Sequence, residues 1–211
     1  MKTQGAYGFY PVVDDVRWVR RFLPLGVRTI QLRIKAQPEA EVRRQIREAL
    51  AIAADYDCQM IVNDYWRIAI LESATWLHLG QEDLADADRA AIQAAGLKLG
   101  ISTHSPAELA NALAAKPDYV ALGPIYETTL KQMPWSPQGL ERIGAWKAQC
   151  GCPLVAIGGI TLERAPAVLA AGADSIAVVS DVLRAPDPDA RVRAWLDLFH
   201  TAAQKSHKEA H

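Results

Sequence analysis

Residues 58–66 read CQMIVNDYW, and they decide the fold. Met60, Ile61 and Val62 form a short apolar run suited to a buried strand, and Asn63 and Asp64 follow at once, with no turn residue between. An unpaired carboxylate buried at a strand tip is costly, whereas one at an open rim facing cations is not. Such a rim is where a barrel of parallel strands keeps its chemistry.

Working outward, the same kind of run recurs at 8–13, 29–33, 60–62, 76–79, 97–102, 119–122, 154–157 and 175–179. Helical patterns lie between the runs. Over 39–54, Val42, Ile46, Ala49, Leu50 and Ala53 share one helical face, with Arg43, Arg44, Arg47 and Glu48 on the others. At Ser105, SPAE supplies an N-cap serine, a proline at the first helical position and a glutamate two residues on, a capping-box start. The helix-to-strand passages LPLGVRTIQL, QAAGLKLGI, AAKPDYVALG and LAAGADSIAVV repeat one connection along the chain. Alternating strands and helices imply parallel pairing through helical crossovers. Eight units in 211 residues predict an α/β protein, a compact (β/α)8 TIM barrel spanning 1–211 as one domain, with a tail that frays from about 203. A doubly wound open sheet is the alternative.

A net charge of −1 argues against a broad surface for nucleic acid or anionic membrane. No apolar run reaches membrane-spanning length, and MKTQGAYGFYPVVDD lacks the apolar segment of a signal peptide. Cys58, Cys150 and Cys152 are too few and too odd in number for a disulfide scaffold, and CGC is too tight for Cys-x-x-Cys chemistry. A soluble cytoplasmic protein is expected, and a homo-oligomer is compatible with the sequence. Trp18, Trp146 and Trp195 sit in helical patterns and are expected to pack on the barrel. His207 and His211 are four apart in a tail and read as structural bystanders.

The strand ends collect polar residues. The second strand contributes Gln31, Arg33 and Lys35, all on one side by alternation, and the third contributes Asn63 and Asp64. After the fourth come His78, Gln81 and Asp83; the fifth ends on Ser102, Thr103 and His104, and the sixth leads to Thr128, Thr129 and Lys131. Two carboxylates on adjacent loops, Asp64 and Asp83, suit Mg²⁺, which takes few protein ligands together with water and phosphate oxygens. Arg33, Lys35 and Lys131 add three cations, more than a neutral substrate needs and appropriate to a departing diphosphate. Gly158 and Gly159, Thr161 as a cap for the next helix, and a short extra helix from Val179 and Ser180 point to a second anion site at strands seven and eight.

Taken together, QLRIK, VNDYWRIAI, HLGQED, GISTH, ALGPIY, KQMP, AIGGI and AVVS resemble, in order and interval, the thiamine phosphate synthase family over nearly the whole chain. The resemblance implies Mg²⁺-dependent transfer of a hydroxymethylpyrimidine group from its diphosphate to thiazole phosphate. It implies a pyrimidine diphosphate site of Gln31, Leu32, Arg33, Ile34, Lys35, Asn63, Ser102 and Lys131, walled by Tyr10 and His78. Asp64 and Asp83 would hold Mg²⁺. Thr128, Thr129, Leu130, Gly159, Val179 and Ser180 would take the thiazole phosphate. Arg33, Lys35, Ser102 and Lys131 would carry the catalysis, by dissociation of pyrophosphate without a protein nucleophile, under a lid at 126–137. In that loop the family's Pro-Thr-x-Thr-Lys is here Glu127-Thr128-Thr129-Leu130-Lys131, which removes a hydroxyl and predicts weaker thiazole phosphate binding. The alternatives are a thiazole tautomerase-like isomerase of the same fold, a Schiff-base aldolase using Lys35 or Lys131, and a non-catalytic binding protein.

Overall fold

The computed structural model describes residues 8–128 and 135–209, with side chains as far as 200. Eight parallel strands close into a barrel in chain order, β1 pairing with β8. That closure excludes the open-sheet alternative. The strands are β1 (Phe9–Val13), β2 (Thr29–Leu32), β3 (Gln59–Asn63), β4 (Trp76–Leu79), β5 (Lys98–Thr103), β6 (Tyr119–Leu122), β7 (Leu154–Ile157) and β8 (Ser175–Val178). Each lies within a residue of its predicted run at either end.

The early helices are α1 (Val16–Phe22), α2 (Glu39–Ala54), α3 (Trp66–Leu71), α4 (Gln81–Asp86) and α5 (Arg89–Ala94). They are followed by α6 (Pro106–Ala114), α7 (Gly139–Lys147), α8 (Ala165–Ala170), α9 (Ser180–Leu183) and α10 (Pro188–Glu209). The backbone of α10 is helical past residue 203, where the sequence reading expects fraying. Among the described residues no helix is long and apolar enough to cross a membrane.

Strand alternation sorts side chains into two cores. Ile30, Leu32, Ile34, Val62, Leu77, Leu79, Ile101 and Val120 face outward and pack under the helices, with Trp146 and Trp195 among them. Tyr10, Val12, Ile61, Trp76, Tyr119, Ala121, Val155 and Ala177 fill the barrel interior. Each large aliphatic side chain so buried contributes about 1.5–3 kcal/mol. Thr103 belongs to the outer layer: its hydroxyl donates to Ala121 O at 3.0 Å and accepts from Trp146 Nε1 at 3.0 Å. It is a packing hydroxyl and not part of the polar rim to which its position in GISTH assigns it.

The interior has room for Tyr119 because its cross-strand neighbour is Gly100. A Cβ at Gly100 would stand 2.0 Å from Tyr119 Cζ, so the phenol ring occupies the space a side chain would take.

Candidate active site

At the C-terminal mouth, β3 ends in a tight reversal. Asp64 adopts φ +65°, a left-handed conformation that a residue with a Cβ enters at a cost of about 1–2 kcal/mol. Three backbone bonds hold it there. Asp64 N–H donates to His78 O at 2.9 Å, Tyr65 N–H to Asn63 O at 2.9 Å and Trp66 N–H to Asp64 O at 2.7 Å. This turn sets the Asp64 carboxylate against Lys35 Nζ, in an ion pair reached from the end of β2. The Arg33 N–H donates to Val13 O at 2.7 Å, which carries the β2 extension over the mouth.

Asp83, in the first turn of α4, comes within hydrogen-bonding reach of Asp64. Burial and the neighbouring Asp64 charge raise its carboxyl pKa above the ordinary value, while the Lys35 ammonium opposes them. Two carboxylates crowded at a half-open rim fit a hard divalent cation completed by water and phosphate oxygens. Among the described residues no group of three or more His, Cys, Asp or Glu gathers as a metal cluster, so such an ion would rest on these two acids.

Inside this rim, β3 to β6 carry one register row: Asn63 opposite His78, His78 opposite Gly100, Gly100 opposite Tyr119. His78 Nδ1 lies 2.8 Å from the Tyr119 hydroxyl and Nε2 lies 2.8 Å from Ser102 Oγ. Burial, aided by the nearby Arg33 charge and opposed by Asp64, lowers the His78 pKa to about 4. A neutral imidazole therefore donates at one nitrogen and accepts at the other, fixing the Ser102 hydroxyl. Tyr10 hydrogen-bonds Tyr119 and extends the chain across the interior, with burial pushing its phenol well above the usual range. Gln81 Nε2 donates to Ser102 O at 2.7 Å and is itself held by Asn111 at 2.8 Å. Buried Asn63 Nδ2 has no hydrogen-bond partner among the described residues. Its N–H groups are available to an acceptor brought into the mouth.

Loops after β6, β7 and β8 form a second recess lined by Thr128, Gly158, Gly159, Ile160, Val179 and Ser180. Here the glycines are required. Gly158 and Gly159 have φ +97° and +66°, and a Cβ on them would stand 2.6 Å from Pro124 Cα and 2.4 Å from Glu127 O. The two loops are laced together by Ile125 N–H to Ile157 O and Tyr126 N–H to Gly158 O, each 3.0 Å. Arg164 Nη1 donates to Gly159 O at 2.7 Å and its guanidinium lies over the Tyr126 ring. On the far wall, Arg191 of α10 bridges Asp181 of α9 at 2.9 and 2.8 Å to Glu163 after β7 at 3.0 and 3.2 Å. Thr161 does not cap α8: the N-cap is Arg164, and Thr161 contributes its carbonyl to the Arg164 and Ala165 amides.

Thus Gln31, Arg33, Lys35, Asn63, Asp64, His78, Asp83, Ser102 and Tyr10 meet at or beneath one mouth, and Thr128, Gly159, Val179 and Ser180 line the recess beside it. The side chains of Leu32 and Ile34 turn outward into the helix-facing core, so at these two positions the end of β2 offers its backbone to a ligand. His104 is also set aside, hydrogen-bonded to Glu108 at 2.8 Å and stacked on Trp135. The Glu108 carboxylate takes the His104 amide, so the return leg of the capping box falls one residue earlier than expected. Thr129, Leu130 and Lys131 lie outside the described residues. Sequence reasoning missed Tyr119; the signal was a tyrosine two residues before Ala121 on an inward register, with a strand glycine across from it.

A family model described as "Thiamine monophosphate synthase" matches residues 9–182. The chain is 61% identical over 189 residues to the thiamine-phosphate synthase of Rhizobium etli, covering 89% of this chain and 93% of that relative. It is 53% identical over 192 residues to that of Salmonella schwarzengrund, covering 90% and 91%. A solved thiamine phosphate pyrophosphorylase from Pyrococcus furiosus superimposes with a TM-score of 0.83 at 28% identity, covering 93% of this chain and 97% of that one.

Proposed function

The chain belongs to the thiamine monophosphate synthase family and is a transferase of that kind, and from this premise we propose that it joins a hydroxymethylpyrimidine group, delivered as its diphosphate, to thiazole phosphate. One observation carries the reading. A buried amide without a partner, Asn63, sits beside the crowded pair Asp64 and Asp83, next to a glycine-lined recess on the same mouth. A ligand with a heteroaromatic acceptor at one end and a diphosphate at the other satisfies the first two, and a second phosphate fits the third.

In this proposal Gln31 and Asn63 orient the pyrimidine, with Tyr10, Tyr119 and His78 beneath it. Mg²⁺ held by Asp64 and Asp83 would neutralise diphosphate charge. Arg33, Lys35 and Lys131 stabilise the charge that builds on the leaving pyrophosphate as its bond to the pyrimidine methylene lengthens. The ion pair with Asp64 keeps Lys35 turned to the mouth. Ser102, fixed by neutral His78, lies beside the methylene as it becomes electron-poor. The thiazole nitrogen then forms the new carbon–nitrogen bond, positioned by its phosphate among Thr128, Gly159, Val179 and Ser180. No side chain attacks the substrate; orientation and preorganised charge supply the acceleration. The lid at 126–137 would exclude water from the electron-poor carbon. Three free thiols support a cytoplasmic location.

The test is a coupled assay on purified protein. Pyrophosphate and thiamine phosphate should appear in equal amounts, only with both substrates and Mg²⁺. Asp83→Asn should lower kcat at fixed Mg²⁺ by at least an order of magnitude, as expected for losing one of two metal-holding acids (about 10-fold or more). Turnover without the divalent ion, or a product formed from thiazole phosphate alone, would overturn the proposal.

A further inference from the structure

We infer that Arg164 is a specificity-determining residue of the glycine-lined recess. It selects the phosphorylated thiazole over the free alcohol by holding the Gly159–Ile160 peptide in place and by adding positive charge at the rim. The inference rests on the reading of that recess as the thiazole phosphate site.

The recess itself is short of charge. Its lining offers the hydroxyls of Thr128 and Ser180 together with backbone groups, and among the described residues no charged side chain. A phosphate monoester carries a charge of about −1.5 to −2 near neutral pH. Hydroxyls and amides can orient such a group, but a nearby cation is what separates it from an uncharged alcohol.

Arg164 is placed to be that cation. It stands at the N-cap of α8, just after the β7 loop. Its Nη1 donates to Gly159 O at 2.7 Å, and its guanidinium carbon lies 4.5 Å from the centre of the Tyr126 ring. The ring holds the planar group from the β6 side. Tyr126 is tied to the same turn, its N–H donating to Gly158 O at 3.0 Å. Arg164 is exposed, and among the described residues it forms no ion pair with a carboxylate. Arg191 on the far wall differs, because Asp181 and Glu163 already answer its charge.

The contact also acts through the backbone. The carbonyl that Arg164 holds shares a trans peptide with the Ile160 N–H, and in such a peptide the two point opposite ways. Ile160 lines the recess, so fixing the oxygen fixes the direction of that amide. Gly159, lacking a Cβ, puts up little resistance of its own to rotation of this peptide.

The experiment compares the full-length protein with Arg164→Met and Arg164→Lys. Steady-state kinetics use thiazole phosphate or thiazole alcohol as acceptor, and calorimetry measures binding of thiazole phosphate alone. Arg164→Met should raise the KM and Kd for thiazole phosphate about tenfold or more, the worth of one hydrogen bond to a charged group. The kcat and the KM for the pyrimidine diphosphate should stay within about twofold, since neither depends on this rim charge. Use of the alcohol should be unchanged, so the preference for phosphate narrows by the same factor. Arg164→Lys keeps the charge without the planar fork and should recover part of the loss. An unchanged KM and Kd, a loss shared equally by the alcohol, or an equal rise in the KM for the pyrimidine diphosphate would overturn the role of Arg164 while leaving the reaction standing. A parent protein that neither binds nor uses thiazole phosphate would instead overturn the reading of the recess, and this inference with it.

Discussion

Replacing Gly100 with alanine tests how the barrel interior is built. At a strand position with ordinary backbone angles, Gly→Ala stabilises by about 0.4–1 kcal/mol, because the unfolded chain loses freedom. Here the opposite is expected. The added Cβ would lie 2.0 Å from Tyr119 Cζ, 2.2 Å from Cε1 and 2.4 Å from the hydroxyl oxygen, against ordinary contacts beyond about 3.4 Å. The ring must shift by more than an ångström, or β5 and β6 must part. Overpacking of this kind costs about 1–3 kcal/mol. Displacing the Tyr119 hydroxyl also breaks its 2.8 Å hydrogen bond to buried His78, another 1–3 kcal/mol or so. The net expectation is about 2–5 kcal/mol of lost stability. At about 2–4 °C per kcal/mol for a chain of this size, the melting temperature should fall by roughly 5–20 °C. Urea titrations of Gly100→Ala, Tyr119→Ala and the double variant complete the assay. With the ring gone the methyl has space, so the cycle should show favourable coupling of about 2 kcal/mol. Additive effects, or a single variant as stable as the parent, would refute the reasoning.

Arg191→Met should leave the nearly buried Asp181 carboxylate with Trp195 Nε1 as its side-chain partner among the described residues, at a cost of about 3 kcal/mol in urea titrations. Because Arg191 ties α9 to the loop after β7, the KM for thiazole phosphate should rise several-fold while kcat changes less; an unchanged KM would count against the bracing role. His78 has a folded pKa of about 4 against an ordinary 6.5, so its contribution is present above pH 6.5 and lost as the pH falls through 4. In metal-free buffer this amounts to about 3 kcal/mol, at about 1.4 kcal/mol per pH unit, and His78→Gln should flatten the stability profile over that window. Leu130→Thr restores the hydroxyl of the family pattern and should lower the KM for thiazole phosphate about tenfold or more, the worth of one hydrogen bond to a charged group (about 1.5–3 kcal/mol); no change or a rise would contradict it.

The register of polar residues was legible because strand alternation is a local property. Gln31, Arg33 and Lys35 at two-residue intervals, and Asn63 and His78 after apolar runs, announce an inward-facing set before any coordinate is known. The same rule, applied strictly, turns Leu32 and Ile34 outward, where the structure buries them under helices. Thr103 misled because its neighbour Ser102 faces the mouth while its own parity does not, and a distant partner, Trp146 on α7, consumes its hydroxyl.

The sequence by itself determined the alternation of strands and helices, the closure-sized count of eight and the kinds of charge at the strand ends, because each depends on periodicity and residue chemistry within a few positions. Tertiary structure alone decided which of those groups touch. The left-handed turn at Asp64, the crowding of Asp83 against it and the Tyr119 ring over Gly100 depend on where backbone from separate segments comes to rest. A shift of one ångström there changes a clash into a hydrogen bond, and no local pattern encodes that distance.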